Sequence, residues 1–191
     1  MCNLYQLEKS VDAVRRLFAD LQIPLDFPEG IPNFQPRDIR ITDRAPIIRW
    51  ARDRDTAEMV ERRWSWPAPG GKPVFNMRSD GREFSKDRCL VVADAFYEFT
   101  TPADPKQKRK DCWRFSPAGD FAIAGLVRND PQIGEAFTLL TVPPGPDITP
   151  YHNRQVALLS PPDWRDWLDG SVRSIELLQP SRAGELRVST A

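Results

Sequence analysis

Apolar positions return at three- and four-residue spacing over Val11, Val14, Leu17, Phe18 and Leu21, directly after Ser10. That spacing predicts an amphipathic helix with Ser10 as its N-cap, ending before Pro24. Residues 24–36 are rich in Pro, Gly and Asn and predict an irregular connection. Beyond it the pattern becomes strand-like. Ile39 and Ile41, then Ile47, Ile48 and Trp50, predict two short strands paired as a hairpin across Asp43 to Pro46. Further strands are expected over 59–66, 89–93, 96–99, 137–142 and 156–159, the first stopped by a turn segment over 67–71 that leads into Phe75 to Arg78. Trp113 to Phe115 and Phe121 to Leu126 read as a second hairpin joined across 117–120. Between the Phe96 and Trp113 strands, residues 100–111 carry Lys106, Lys108, Arg109 and Lys110 and read as a solvated loop. Ser160-Pro161-Pro162-Asp163 caps a short helix through Trp164, Trp167 and Leu168, which Gly170 ends. The fold class expected is α+β: a β-rich single domain with a few helices at its margins.

Composition narrows the picture. A chain of 191 residues can bury a core as one domain without disulfides or metal. Three cysteines, Cys2, Cys89 and Cys112, form an odd set with no CxxC pair, so reduced thiols are expected and neither a disulfide framework nor a zinc site is. No apolar run is long enough to cross a bilayer, and the first residues lack a secretory leader's basic and apolar regions, so a cytoplasmic protein is expected. Lys and Arg total 27, as do Asp and Glu, so any affinity for nucleic acid must come from a local patch. Nineteen prolines imply short elements and many loops; 6 tryptophans and 10 phenylalanines argue against disorder.

Four places can carry chemistry. Once an initiator methionine is removed, Cys2 becomes an N-terminal 1,2-aminothiol. Its amine titrates near ~7.7–8.0 and its thiol near ~8.5, so both have nucleophilic fractions at neutral pH. Such a pair forms a Schiff base with an aldehyde and then closes a thiazolidine ring. An inert cysteine on a first strand is the bland alternative. His152 is the chain's one histidine and suits acid–base work, or is a packed structural residue. Glu98 lies among aromatics in Ala95-Phe96-Tyr97-Glu98-Phe99; buried, its pKa would rise, whereas at a strand end it would be solvated. Asn76-Met77-Arg78 offers a neutral carboxamide and a rigid fork suited to phosphate, or ordinary surface polarity. Nearby, Trp64 and Trp66 could stack bases, although tryptophans so spaced are more often one core and one surface residue. Arg37, Arg40, Arg44, Arg49, Arg52, Arg54, Arg62, Arg63, Arg82 and Arg88 could supply a basic groove.

These pieces also stand in a particular order: Met1-Cys2-Asn3; Pro36; Arg63-Trp64 followed by Pro67; Asn76-x-Arg78; Arg88-Cys89-Leu90 leading to Ala93-Asp94-x-Phe96-Tyr97-Glu98; Phe121 to Leu126; Leu140-Thr141; His152-Asn153-Arg154; and Pro162-x-Trp164-x-x-Trp167-Leu168. The ordered set resembles the SRAP family, SOS-response-associated peptidase proteins that sense abasic sites in single-stranded DNA. The resemblance implies twisted antiparallel strands forming a barrel-like core, with Cys2 as the crosslinking nucleophile. It implies that Asn76 orients the adduct, that Glu98 positions or protonates the reacting groups, and that His152 assists sugar ring opening and proton transfer. Arg78, Pro36, Thr141 and Arg154 are then expected along the DNA path with Trp64 and Trp66. The expected partner is single-stranded DNA carrying abasic sites, bound by a monomer with no cofactor and no metal; strand-cleaving lyase activity is a possible accompaniment. A thiol autopeptidase that removes its own N-terminus and a non-catalytic single-strand-binding module are the alternatives. Where typical members read Asn-Ala-Arg-Ala-Glu this chain has Asn76-Met77-Arg78-Ser79-Asp80, which implies a divergent paralogue.

Overall fold

The computed structural model describes residues 2–51, 53 and 55–191; Met1, Arg52 and Arg54, which enter the readings above, lie outside the described residues. Five strands close on themselves. Gly134–Val142 pairs with Ala122–Asp130, then come Arg88–Val92, Arg44–Ala51 and Thr56–Trp64, and the last returns to the first. The closing pair is parallel, Ala136 opposite Arg63 and Phe137 opposite Trp64. Closure removes the exposed edges that an open sheet of this length would present. Both faces of the ring are apolar: Ile47, Val60, Val91, Ile123, Phe137 and Leu139 share one face by register, Ile48, Met59 and Leu90 the other, and all are buried.

A second, open sheet runs in the order Leu186–Thr190, Asp111–Pro117, Ala95–Thr100, Leu4–Leu7 and Arg37–Arg40, every neighbour antiparallel. Its buried face presents Tyr5, Leu7, Phe96 and Phe115, with Phe96 stacked on Phe115 at 5.4 Å between ring centres. Asp94 anchors the end of the first strand. Its carboxylate accepts the Glu8 and Lys9 backbone N–H groups at 2.6 and 2.9 Å and binds the Lys9 ammonium at 2.6 Å. The helix Val11–Asp20 follows, capped by Ser10, whose side chain accepts from the Ala13 N–H; Val14 and Phe18 are buried, as the periodicity predicts. The short helix Trp164–Asp169 ends at Gly170, whose φ of 79° is the left-handed conformation that favours glycine.

Both predicted hairpins are overturned. Arg37–Arg40 pairs with Leu4–Leu7 in the open sheet, while Arg44–Ala51 belongs to the barrel. The switch occurs at Thr42, whose φ of 80° turns the chain out of one sheet and into the other. Likewise Asp111–Pro117 lies in the open sheet and Ala122–Asp130 in the barrel. The strand Leu186–Thr190 and the helix Ser174–Leu177 are additions to the expected elements. No helix among the described residues is long and apolar enough to cross a membrane.

Candidate functional site

The two layers bring together residues far apart in sequence. Cys2 leads into Leu4–Leu7 and Glu98 lies on Ala95–Thr100, adjacent strands of the open sheet. From the barrel side, Asn76 sits on the strand Asn76–Arg78, which pairs in parallel with Gly134–Val142. His152 follows the turn after that same barrel strand. In this turn Ile148 and Thr149 donate to the Gly145 carbonyl and His152 donates its backbone N–H to Ile148. Gly145 is needed there, since a Cβ would lie 2.2 Å from the Ser181 carbonyl oxygen.

Asn76 Nδ2 donates to the Cys2 carbonyl at 2.7 Å, bridging barrel and sheet. Asn76 Oδ1 is buried and accepts no hydrogen bond from the described residues, leaving an acceptor beside the cysteine. The Cys2 thiol is 1 % exposed and donates to the Leu4 carbonyl at 3.2 Å. Burial, and then the negative charge of Glu98, push its pKa up to about 12, so it is held protonated. Glu98 is itself 1 % exposed. Burial pushes its carboxyl up to about 7, poised between acid and base at neutrality.

His152 Nε2 lies 4.0 Å from Glu98 Oε2. Its Nδ1 accepts the Arg154 backbone N–H at 3.0 Å and is 3.1 Å from the Arg154 carbonyl oxygen. Burial lowers the pKa of the imidazole, favouring the neutral ring. A thiol, a carboxamide, a carboxyl and an imidazole thus meet between barrel and sheet. All three cysteines are free thiols, and the described residues contain no cluster of three or more His, Cys, Asp or Glu side chains able to hold a metal ion.

The remaining expected positions divide. Arg78 and Pro36 are exposed and open to a partner. Trp64 is not: it is fully buried, its Nε1 donating to the Phe75 carbonyl at 2.8 Å, and it packs against Tyr5. Trp66 is 5 % exposed, with the Arg128 guanidinium 5.7 Å from its ring centre. Base stacking on either indole is therefore corrected to core packing. Ser65 between them, with a φ of 84°, separates the strand that ends at Trp64 from the short strand that begins at Trp66. Thr141 and Arg154 are buried as well, at 1 % and 8 % exposed, and bonded to each other, so open contact with DNA is corrected for both. In the expected basic groove, Arg62 and Arg88 are also withdrawn. Arg62 pairs with Glu29 and Glu135, and Arg88 donates to the Phe84 and Val172 carbonyls and lies 4.7 Å from the Trp167 ring centre. Asp80 is the residue that reading single positions missed; its only signal is its place two residues after Arg78 in the Asn76 segment.

A closed barrel facing an open sheet, with a thiol, a carboxamide, a carboxyl and an imidazole at their junction, defines a β-rich protein whose polar groups converge at one place. The SOS response associated peptidase (SRAP) family matches residues 1–190, and the chain belongs to that family. It is 25% identical over 197 residues to the abasic site processing protein YoqW of Bacillus subtilis, covering 94% of this chain and 85% of that protein. The abasic site processing protein YobE of the same organism is 26% identical over 112 residues, 56% of this chain and 48% of that one. Among solved structures, a protein from Bordetella bronchiseptica superposes with a TM-score of 0.73 at 22% identity over 100% of this chain and 99% of its own. One from Bacteroides thetaiotaomicron gives 0.71 at 18% identity, covering 99% and 91%. At these identities the solved structures share the fold.

Proposed function

We propose that this protein processes abasic sites in single-stranded DNA by forming a covalent link through Cys2 once Met1 has been removed. The observation that carries the reading is the Asn76 bridge to the Cys2 carbonyl, which holds the cysteine backbone beside the Glu98–His152 pair. The names of YoqW and YobE, abasic site processing proteins, support abasic sites as the substrate.

In the proposed reaction the freed α-amine attacks the aldehyde carbon of the ring-opened deoxyribose. The resulting carbinolamine loses its hydroxyl as water, taking a proton from Glu98, and the iminium so formed returns its nitrogen proton to the Glu98 carboxylate to leave an imine. The thiol then adds to the imine carbon while its proton passes by way of Glu98 to the nitrogen. A thiazolidine results, and one water is released overall. A carboxyl near pH 7 can give and regain a proton at each stage. The order suits the thiol: it stays protonated until the imine forms, and ring closure then needs only a local proton transfer. At the imine stage β-elimination is also available, which would give strand cleavage.

Autoproteolysis is less well supported, because it would require a thiolate from a buried thiol pushed up to about 12. The test is incubation of protein lacking Met1, verified by intact mass, with a single-stranded oligonucleotide carrying one abasic site, followed by a denaturing gel. A slow-migrating covalent species is expected, and Cys2→Ala is expected to abolish it. Salt-sensitive binding with no covalent product would reassign the chain as a binding module.

A further inference from the structure

The reaction outlined above leaves Arg154 without a role, yet Arg154 is the most heavily bonded side chain at the site. One guanidinium nitrogen, Nη1, donates to Asp80 Oδ1 at 2.9 Å, and Nη2 lies 2.7 Å from Asp80 Oδ2. Nη2 also donates to the Thr141 carbonyl at 2.6 Å and to Thr141 Oγ1 at 3.2 Å. The same Thr141 carbonyl accepts the Ser79 N–H and hydroxyl, both at 3.0 Å. Thr141 stands in register with Arg78. One guanidinium therefore ties together the end of the Asn76 strand, the barrel strand beside it and the segment carrying His152. A planar fork with bidentate geometry sets direction as well as distance, which a lysine could not do.

At its other end Arg154 holds the imidazole. Nδ1 lies 3.0 Å from the Arg154 N–H, which can only donate, and 3.1 Å from the Arg154 carbonyl oxygen, which can only accept, so the Arg154 backbone holds this nitrogen and sets which tautomer the neutral ring adopts. Nε2 is the nitrogen that faces Glu98, at 4.0 Å. If the Arg154 backbone shifts, both the ring's tautomer and its approach to Glu98 shift with it.

We infer that the Asp80–Arg154 ion pair is a positioning device for His152: Asp80 anchors the guanidinium, Arg154 holds the imidazole by Nδ1 with Nε2 toward Glu98, and Thr141 locks both to the strand of Asn76. This assigns Arg154 an internal role in place of a phosphate contact. Asp80 and Arg154 are positioning residues that touch no substrate. The consequence for the reaction rests on the proposed function; the consequence for the imidazole does not.

The lone histidine makes the test clean, because ring nitrogen resonances in a nitrogen-15 NMR spectrum come from one residue. At pH 8, where burial keeps the ring neutral, the wild type is expected to show one dominant tautomer. Asp80→Asn and Asp80→Ala are expected to give a mixture of tautomers, and Asp80→Glu to retain the wild-type pattern, with thermal unfolding confirming that each variant is folded. With abasic oligonucleotide at saturation, Asp80→Asn is expected to slow adduct formation roughly ten- to hundredfold, as a displaced acid–base group does, with affinity for undamaged single strands unchanged. A phosphate-binding Arg154 predicts the opposite: freed from Asp80, it would tighten DNA binding and leave the tautomer alone. Wild-type tautomer populations in both Asp80→Asn and Asp80→Ala would overturn the inference. If the wild type forms no adduct, only the proposed function fails, and the tautomers still decide this one.

Discussion

Two places in the molecule bury charge, and they do opposite things with it. At the barrel's closing seam Arg62 is 9 % exposed, with its Nε bonded to Glu135 and its two terminal nitrogens bonded to Glu29 at 2.8 and 2.6 Å. Arg49 joins the other Glu135 oxygen and reaches Glu58 at 3.1 Å. Because each carboxylate faces a guanidinium, the hydrogen bond from Arg62 holds Glu29 below the usual carboxylate range. These charges are fixed, and they brace the parallel contact of Ala136 with Arg63 that closes the ring. At Glu98 burial outweighs what the neighbours return, and the carboxyl rises to about 7. Loss of solvent yields a structural strut where guanidinium hydrogen bonds prevail over it and a proton-exchanging group where burial prevails.

The comparison can be broken most forcefully at the seam. Arg62→Met leaves Glu135 with half its partners and is expected to destabilise the protein by about 3 to 4 kcal/mol in urea unfolding, since a buried guanidinium loses its hydrogen bonds to Glu29, Glu135 and the Glu61 carbonyl at about 1 kcal/mol each. Adding Glu135→Leu should recover part of the loss. An unchanged midpoint for the single variant would mean that the pairs brace nothing.

Next in size is Glu98→Gln. The folded pKa of about 7 stands above the ordinary 4.5. Between those values the folded state holds a proton that the unfolded state has released. The contribution of Glu98 to stability is therefore complete below pH 4.5 and lost as the pH rises through 7. Glu98→Gln mimics the protonated form, so it should stabilise the protein by about 3 kcal/mol at pH 8 and by almost nothing at pH 4.5. It should also slow adduct formation. Equal effects on stability at both pH values would contradict the raised carboxyl.

The smallest effect is expected at Tyr5. Its hydroxyl is buried with no hydrogen-bond partner among the described residues, and burial raises its pKa. Tyr5→Phe should stabilise the fold by about 1 kcal/mol, because it removes an unsatisfied polar group from the core. A slower adduct in that variant would show that the hydroxyl belongs to the pocket's chemistry.

Much of this was legible in the residues. The helix after Ser10, the buried run at Cys89, the stop at Gly170 and the polar loop over 100–111 all follow from periodicity and turn chemistry, which act within a few residues. Pairing was not. Alternation tells which face of a strand is buried, but not which strand lies beside it, so chain neighbours such as Arg37–Arg40 and Arg44–Ala51 were joined although they belong to different sheets. Local pattern also had no means of seeing that both tryptophans are covered, or that Asp80 bonds to Arg154.

The sequence by itself therefore determined the β-rich class, the elements and the four chemical groups at Cys2, Asn76, Glu98 and His152, because each of these is a property of residue type and local order. Only the tertiary structure decided that these groups meet, that Glu98 is dry enough to titrate near neutrality, and that Arg154 is bonded inward. Those depend on which distant segments exclude water from one another, and closure of the barrel against the open sheet sets them all at once.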